Sequence, residues 1–297
     1  MNRTNYSYSI GDSVGDIGCT AIDDVDGPVA CTYSGTIDTS TIGDYDITYS
    51  ATDSSGNIAT LIQTYTVSES GGNDDYLSMD LMTYYDDAEG LEGDSLESAL
   101  RTIINNGFNG VSYGDTRYNL DDTDADPNNS SNLILVYEQT SVSGVWDSGS
   151  TWNREHVWPQ SLLGISVDNG DINAASDLHN LKPADPGTNS SRSNKYFDWT
   201  TTPSTYEPPN EVKGDIARIL FYMVIMYDNL ELVDGEPSTY QMGALQTLLA
   251  WHELDPVDDF ERNRNEVIYG IQGNRNPFID YEHFVELIFG DEPYYNN

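Results

Sequence analysis

Three short stretches of the 297-residue chain gather side chains that could do chemistry. They are Asn153-Arg154-Glu155-His156-Val157-Trp158-Pro159, Asp177-Leu178-His179-Asn180-Leu181-Lys182-Pro183 and Arg192-Ser193-Asn194-Lys195. An imidazole titrates near neutral pH, so His156 is a candidate general base. One carboxylate and one amide oxygen, as Glu155 and Asn194 offer, suit a hard divalent cation that keeps several of its waters. The cations Arg154, Lys182, Arg192 and Lys195 are of the type that contacts phosphate. His179, His252 and His283 are read as structural, with His179 nearest to the site.

These groups act together only if secondary structure brings them together. Glu155 and His156 are neighbours, so a regular strand sends them to opposite faces, whereas a bulged one lets both approach one site. Asn189 or Ser190 could cap a helix carrying Arg192, Asn194 and Lys195, and the window reads as strand, strand, helix. Upstream, apolar spacing over 93–104 predicts a helix capped by Asp94 or Ser95. Further helices are expected at 211–227, 240–252, 258–269 and 281–289. The Asp-rich run 121–132 lacks the Gly and Glu of an EF-hand loop and reads as a solvated loop before a buried strand at 133–137. Trp152, Trp158 and Trp199 are read as core.

The first 67 residues differ in kind. Short Thr-, Tyr-, Ile- and Val-rich runs alternate as half-buried strands, as in Tyr45-Asp46-Ile47-Thr48-Tyr49, and are broken by turns such as Asp53-Ser54-Ser55-Gly56-Asn57. The stretch 68–75 has the small, polar composition of a linker. Cys19 and Cys31 suit one hairpin-spanning disulfide in an oxidising compartment, with two free thiols as the alternative.

Fifty acidic against 12 basic side chains give a formal charge of −38, which repels nucleic acid and anionic membrane at long range. Nine of the 12 basic residues lie from Arg154 to Arg275, and Lys182, Arg192 and Lys195 face one nearby acid, Asp185, so a locally positive patch is expected there. With 37% hydrophobic and 11% aromatic residues, wholesale disorder is excluded. No apolar run approaches the roughly 20 residues of a membrane span. The opening Met1-Asn2-Arg3-Thr4-Asn5 has no apolar stretch behind a basic head, so export cannot be read from a signal sequence.

The three motifs in this order, with Ile268-Tyr269-Gly270-Ile271-Gln272-Gly273-Asn274-Arg275-Asn276-Pro277 downstream, resemble the bacterial endonuclease I family. These are secreted, non-specific nucleases of the His-Me finger (ββα-metal) group. Residues 35–57 are similar to the Ig-like modules of bacterial surface proteins. The resemblances imply a multidomain chain: an all-β Ig-like sandwich over 1–67, a linker over 68–75, and an α+β nuclease domain with a ββα-metal core over 76–297. They imply hydrolysis of DNA and RNA by a secreted or surface-associated monomer, with His156 as general base. Glu155 and Asn194 would hold one Mg²⁺, for which Mn²⁺ or Ca²⁺ could substitute. Better-known members place an arginine between the two strands, but no Arg or Lys occurs from Val157 to Ser176. Arg192 takes that role in this reading, with Arg154, Lys182 and Lys195 as further phosphate contacts. The alternative is a non-catalytic acidic surface adhesin, binding cations or glycans, with a degenerate nuclease domain.

Overall fold

The computed structural model describes residues 7–9, 14, 19, 21–23, 27–68 and 79–290. Its contacts divide into two units, Met1–Thr83 and Tyr84–Asn297. Apart from Ser68, the expected linker at 68–75 lies outside the described residues.

In the first unit the strands are β1 (Ser7–Ser9), β2 (Ala21–Asp23), β3 (Gly27–Val29), β4 (Cys31–Ser34), β5 (Gly43–Thr52) and β6 (Ile58–Ser68). β5 and β6 pair antiparallel without a break from Gly43↔Val67 to Thr52↔Ile58. They form the centre of a four-stranded sheet in the order β1-β6-β5-β4, while β2 and β3 make a separate hairpin. The period-2 alternation has its expected consequence: Ile47, Tyr49 and Ala51 are buried along β5, with Tyr65 and Val67 beside them on β6. The turn at 53–57 is closed by the Asp53 carboxylate, which accepts from the Asn57 backbone at 2.7 Å and amide at 2.6 Å. Cys19 and Cys31 are joined in a disulfide with Cα atoms 5.6 Å apart.

The second unit begins at the last residue of α1 (Met79–Tyr84). In α2 (Gly93–Asn105), Leu96, Leu100, Ile103 and Ile104 form one buried stripe. Its N-cap is Glu92, whose side chain makes no capping bond, rather than Asp94 or Ser95. The segment read as a solvated loop contains α3 (Leu120–Thr123), β7 (Ala125–Asp126) and β8 (Asn129–Ile134), and β9 (Ser141–Ser143) pairs on the far side of β8. The strand expected over 133–137 therefore ends at Ile134, although Leu135, Val136 and Tyr137 are buried.

Next come β10 (Asn153–His156), β11 (Leu181–Ala184), α4 (Pro186–Arg192), β12 (Tyr196–Phe197), β13 (Thr205–Tyr206) and α5 (Lys213–Met226). The chain continues with β14 (Glu231–Val233), β15 (Gln241–Gly243), α6 (Leu245–Leu254), α7 (Asp259–Gln272) and α8 (Pro277–Asp280). The helix expected from residue 240 starts only at Leu245, because Gln241–Gly243 pairs with β14. Residues 281–289 form turns and a short π-helical stretch, Glu286–Gly290. Leu120, Leu133, Leu135, Trp152 and Leu181 make a core cluster around the β10–β11 pair.

Ion pairing explains why the Asp-rich run is not a loop in water. Asp124 is fully buried, 2.9 Å from Lys182 Nζ on β11 and 3.0 Å from Arg264 Nε on α7. Arg264 also donates to the carbonyls of Leu178 and Leu181, so one buried carboxylate ties α7 to the start of β11. Burial pushes the Asp124 carboxyl up, but Arg264 and Lys182 together outweigh it and hold it below its ordinary value. Its stabilising contribution is therefore complete above about pH 4 and is lost as acid drives it through its lower folded value. Asp124→Asn is expected to lower unfolding stability at pH 7 by about 3–5 kcal/mol. The gap from wild type should narrow below pH 4, measured by denaturant melts across pH; a pH-independent gap would contradict the ion-pair account.

Candidate active site

β10 and β11 pair antiparallel in unbroken register, Asn153↔Ala184 through His156↔Leu181, and α4 follows at once. The N-cap of α4 is Asp185, whose carboxylate accepts from Gly187 N at 2.8 Å and Thr188 N at 2.9 Å, with Pro186 in the first turn. Asn189 and Ser190, the expected caps, lie inside the helix. Asn189 instead donates to Asn153 Oδ1 at 2.7 Å and to the Arg154 carbonyl at 3.2 Å, lacing α4 to β10. The helix ends at Arg192, so Asn194 and Lys195 follow it; Asn194 is exposed, one residue past Ser193, which sits at φ 55°.

The register carries no bulge, and the side chains of Glu155 and His156 meet different partners, but Arg192 links the two residues by bonding both the Glu155 carboxylate and the His156 carbonyl. Glu155 is buried, and its Oε1 accepts from Tyr137 Oη at 2.6 Å and Arg192 Nη1 at 2.8 Å. Both bonds fall on one oxygen, and among the described residues no donor reaches Oε2. Burial raises the Glu155 carboxyl, opposed by the Arg192 charge and the Tyr137 hydrogen bond.

His156 is half-buried, with its Nε2 3.0 Å from the carbonyl of Ala175. A carbonyl only accepts, so Nε2 carries the hydrogen and Nδ1 is left with the lone pair. Burial brings the imidazole down to about 4, with the Ala175 bond opposing and the Arg154 and Arg192 charges reinforcing the shift, so the ring is neutral at physiological pH. The Ala175 carbonyl is set by a tight turn: Asn173 Oδ1 accepts from Ala175 N at 2.9 Å, and Ser176 Oγ from Asn173 N at 3.0 Å. Beyond it, the Asp177 carboxylate accepts from Tyr222 and Tyr227 of the α5 region at 2.8 and 2.9 Å and from Gln272 of α7 at 2.8 Å. The helices thus fix the turn that supports the base.

Tyr113 stacks on His156 at 5.6 Å between ring centroids, and the Arg154 guanidinium covers the Tyr113 ring at 3.7 Å. Arg154 also donates to the Tyr113 carbonyl and lies 5.6 Å from the Trp146 ring. Tyr113 is anchored by bonds to the 169–171 loop, Tyr113 N to Asp171 O and Gly114 N to Asn169 O. Gly114 is required there, because a Cβ would stand 2.8 Å from Asn169 O.

Two expected phosphate contacts are corrected. Arg192 is fully buried, bonded to Glu155, to the His156 carbonyl at 2.8 Å and to the Val157 carbonyl at 2.7 Å, with Phe197 under its guanidinium. Lys182 is 2% exposed and paired to Asp124. The positive patch expected at 182–195 is thus largely internal, because opposite charges inside the fold claim two of its three cations. Trp152 and Trp158 are core, but Trp199 is 43% exposed. His179 is buried against Tyr222, 4.3 Å between centroids, and Asn180 bonds both backbone groups of Trp158. Sequence reasoning missed Tyr137, Tyr113 and the Ala175 carbonyl. The Asn173-Ala174-Ala175-Ser176 turn was the one local signal for the last of these.

Compared with known proteins, residues 92–206 and 200–283 match the family described as Endonuclease I. The chain belongs to the endonuclease I family. Residues 3–67 match the family described as bacterial surface protein, Ig-like domain, so an Ig-like module precedes the nuclease part. Extracellular ribonucleases of Bacillus subtilis strain 168 and Bacillus amyloliquefaciens are each 42% identical, over 232 and 234 residues. Each alignment covers 71% of this chain, and 79% and 80% of those relatives. An extracellular deoxyribonuclease of Aeromonas hydrophila is 34% identical over 120 residues, 35% of this chain and 48% of its own. Among the described residues no helix is long and apolar enough to cross a membrane.

If Arg192 works as an internal clamp in this endonuclease I chain, Arg192→Gln should lower stability by about 3–5 kcal/mol by leaving Glu155 buried and uncompensated. Calorimetry or denaturant melts would read this. A variant of wild-type stability with only weakened substrate binding would restore the surface role.

Proposed function

We propose that this protein is a secreted, metal-dependent endonuclease that hydrolyses phosphodiester bonds of DNA and RNA with little sequence preference. In this reading the β10–β11 pair and α4 are its ββα-metal core. The observation that carries the reading is the oriented, neutral His156: Ala175 takes the Nε2 hydrogen, so Nδ1 presents a free lone pair on a ring already deprotonated at working pH.

The residues fit a hard ion. Glu155 has one oxygen engaged by Tyr137 and Arg192 and the other without a donor, and Asn194 is an exposed amide just past α4. A set of one carboxylate and one amide oxygen suits an ion that keeps most of its waters, as Mg²⁺ does. Glu155 and Asn194 would hold it, and when bound it supplies positive charge for the phosphate and the departing 3′ oxygen. His156 Nδ1 takes a proton from water as the water oxygen attacks phosphorus, and the neutral ring needs no prior deprotonation. Tyr137 and Arg192 keep Glu155 in place. Arg154, on the same strand face as His156 and without a carboxylate partner among the described residues, contacts the scissile phosphate in place of Arg192; Lys195 is a further contact. The names of the relatives, ribonuclease and deoxyribonuclease, support a site that reads the phosphodiester rather than the sugar. Their extracellular setting and the Cys19–Cys31 disulfide support export.

His156→Ala is expected to abolish plasmid nicking with thermal stability retained, and EDTA to stop the wild-type enzyme. Near-normal nicking by that variant would defeat the assignment, and an intact chain that never cuts would favour the adhesin reading. Because water is the nucleophile, RNA fragments should carry 5′-phosphate and 3′-hydroxyl ends by mass spectrometry; 2′,3′-cyclic phosphates would show attack by the 2′-hydroxyl instead.

A further inference from the structure

Of the described Lys and Arg side chains, Arg101, Lys182, Arg192, Lys213, Arg218, Arg262, Arg264 and Arg275 have an Asp or Glu within ion-pair distance. Among the described residues the exceptions are Arg117, Arg154 and Lys195. Two of these are neighbours. Arg154 Nη1 reaches Thr116 Oγ1 at 3.3 Å, the residue before Arg117, and the Arg117 charge adds to burial in depressing the Arg154 guanidinium. Arg117 is half-buried with its guanidinium 4.8 Å from the Tyr118 ring, and its Nε is enclosed without a hydrogen-bond partner. Tyr118 itself is 57% exposed. Two like charges close enough to act on one another, one with an unsatisfied donor, are unfavourable unless an anion completes them. In a chain of charge −38, carboxylates were abundant enough to fill that place. From Arg117 the groups run through Arg154 and Tyr113 to His156, so the anion would lie beside the proposed reaction centre.

We propose that Arg117 binds a second backbone phosphate of the nucleic-acid strand, adjacent to the scissile phosphate contacted by Arg154. This rests on the nuclease reading above. Its chemistry is common to DNA and RNA, because the ligand is the phosphodiester oxygen. Removing one such contact weakens binding irrespective of base sequence and lowers its salt dependence by about 0.7 in log–log slope for a single strand.

The test uses the full chain carrying His156→Ala, so that binding is read without cleavage, with fluorescent 12-nucleotide DNA and RNA strands at several salt concentrations. Adding Arg117→Gln should raise Kd about tenfold at low salt on both strands and reduce the slope by about 0.7. Melting curves verify the fold, and Arg117→Met, which keeps the stem over Tyr118, provides the same comparison should the Gln variant unfold. In the otherwise wild-type enzyme, Arg117→Gln should raise KM on the 12-mers while kcat holds, and a dinucleotide with only the scissile phosphate should be cleaved as by wild type. Unchanged Kd and slope in a folded variant would overturn the proposal, as would an equal loss on the dinucleotide. A wild-type chain that binds strands in an Arg117-dependent way but cuts none would sink the nuclease reading and leave the phosphate site standing.

Discussion

The Arg192–Glu155 ion pair is the contact on which the arrangement of this site depends. Taking a guanidinium and a carboxylate out of water costs several kcal/mol each, and their attraction offsets this only when further hydrogen bonds satisfy them. Here Tyr137 shares the carboxylate oxygen, and the carbonyls of His156 and Val157 take other guanidinium hydrogens. A single side chain at the end of α4 therefore grips the acid, the backbone of the histidine and the residue beyond. The helix cannot slide along β10 without breaking all of these at once, and the position of Asn194 follows from that docking.

The same logic recurs away from the site. Asp124 holds β11 to α7 through Lys182 and Arg264, and Arg218 on α5 pairs with Glu261 on α7. In a chain with 12 basic and 50 acidic residues, cations are scarce, and among the described ones Lys182, Arg192, Lys213, Arg218, Arg264 and Arg275 are buried as counter-charges. A polyanion approaching this surface meets repulsion almost everywhere, which salt screens within about 10 Å. Attraction is left to the few cations without carboxylate partners, which among the described residues are Arg117, Arg154 and Lys195, and of these Arg154 covers the Tyr113 ring that stacks on the histidine. Net charge and local chemistry therefore act at different ranges and do not conflict.

Much of the site was legible because its parts are local. The order of motifs announced strand, strand and helix, and the imidazole, carboxylate and amide were identifiable by type. The alternation of β5 and the turn at 53–57 follow from period-2 burial and from Asp, Gly and Asn turn chemistry, both short-range properties. Capping was harder: Asp185-Pro186 is a strong start signal, yet Asn189 and Ser190 carry the same local preference, and only the lacing of Asn189 to β10 separates them. The Asp-rich run failed for another reason. Composition favours solvent for such residues, and nothing within the run reveals that Arg264, 140 positions away, buries Asp124.

By itself the sequence determined which residue types are available for chemistry, the local elements that carry them, the family to which the chain belongs and the module that precedes the nuclease part. Those are consequences of residue identity and near-neighbour spacing. Tertiary structure alone decided which cations are internal and which are free, which nitrogen of His156 is basic, and which oxygen of Glu155 is engaged. Each of these turns on a partner brought in from far along the chain, and a charge acquires its role only when folding settles what lies opposite it.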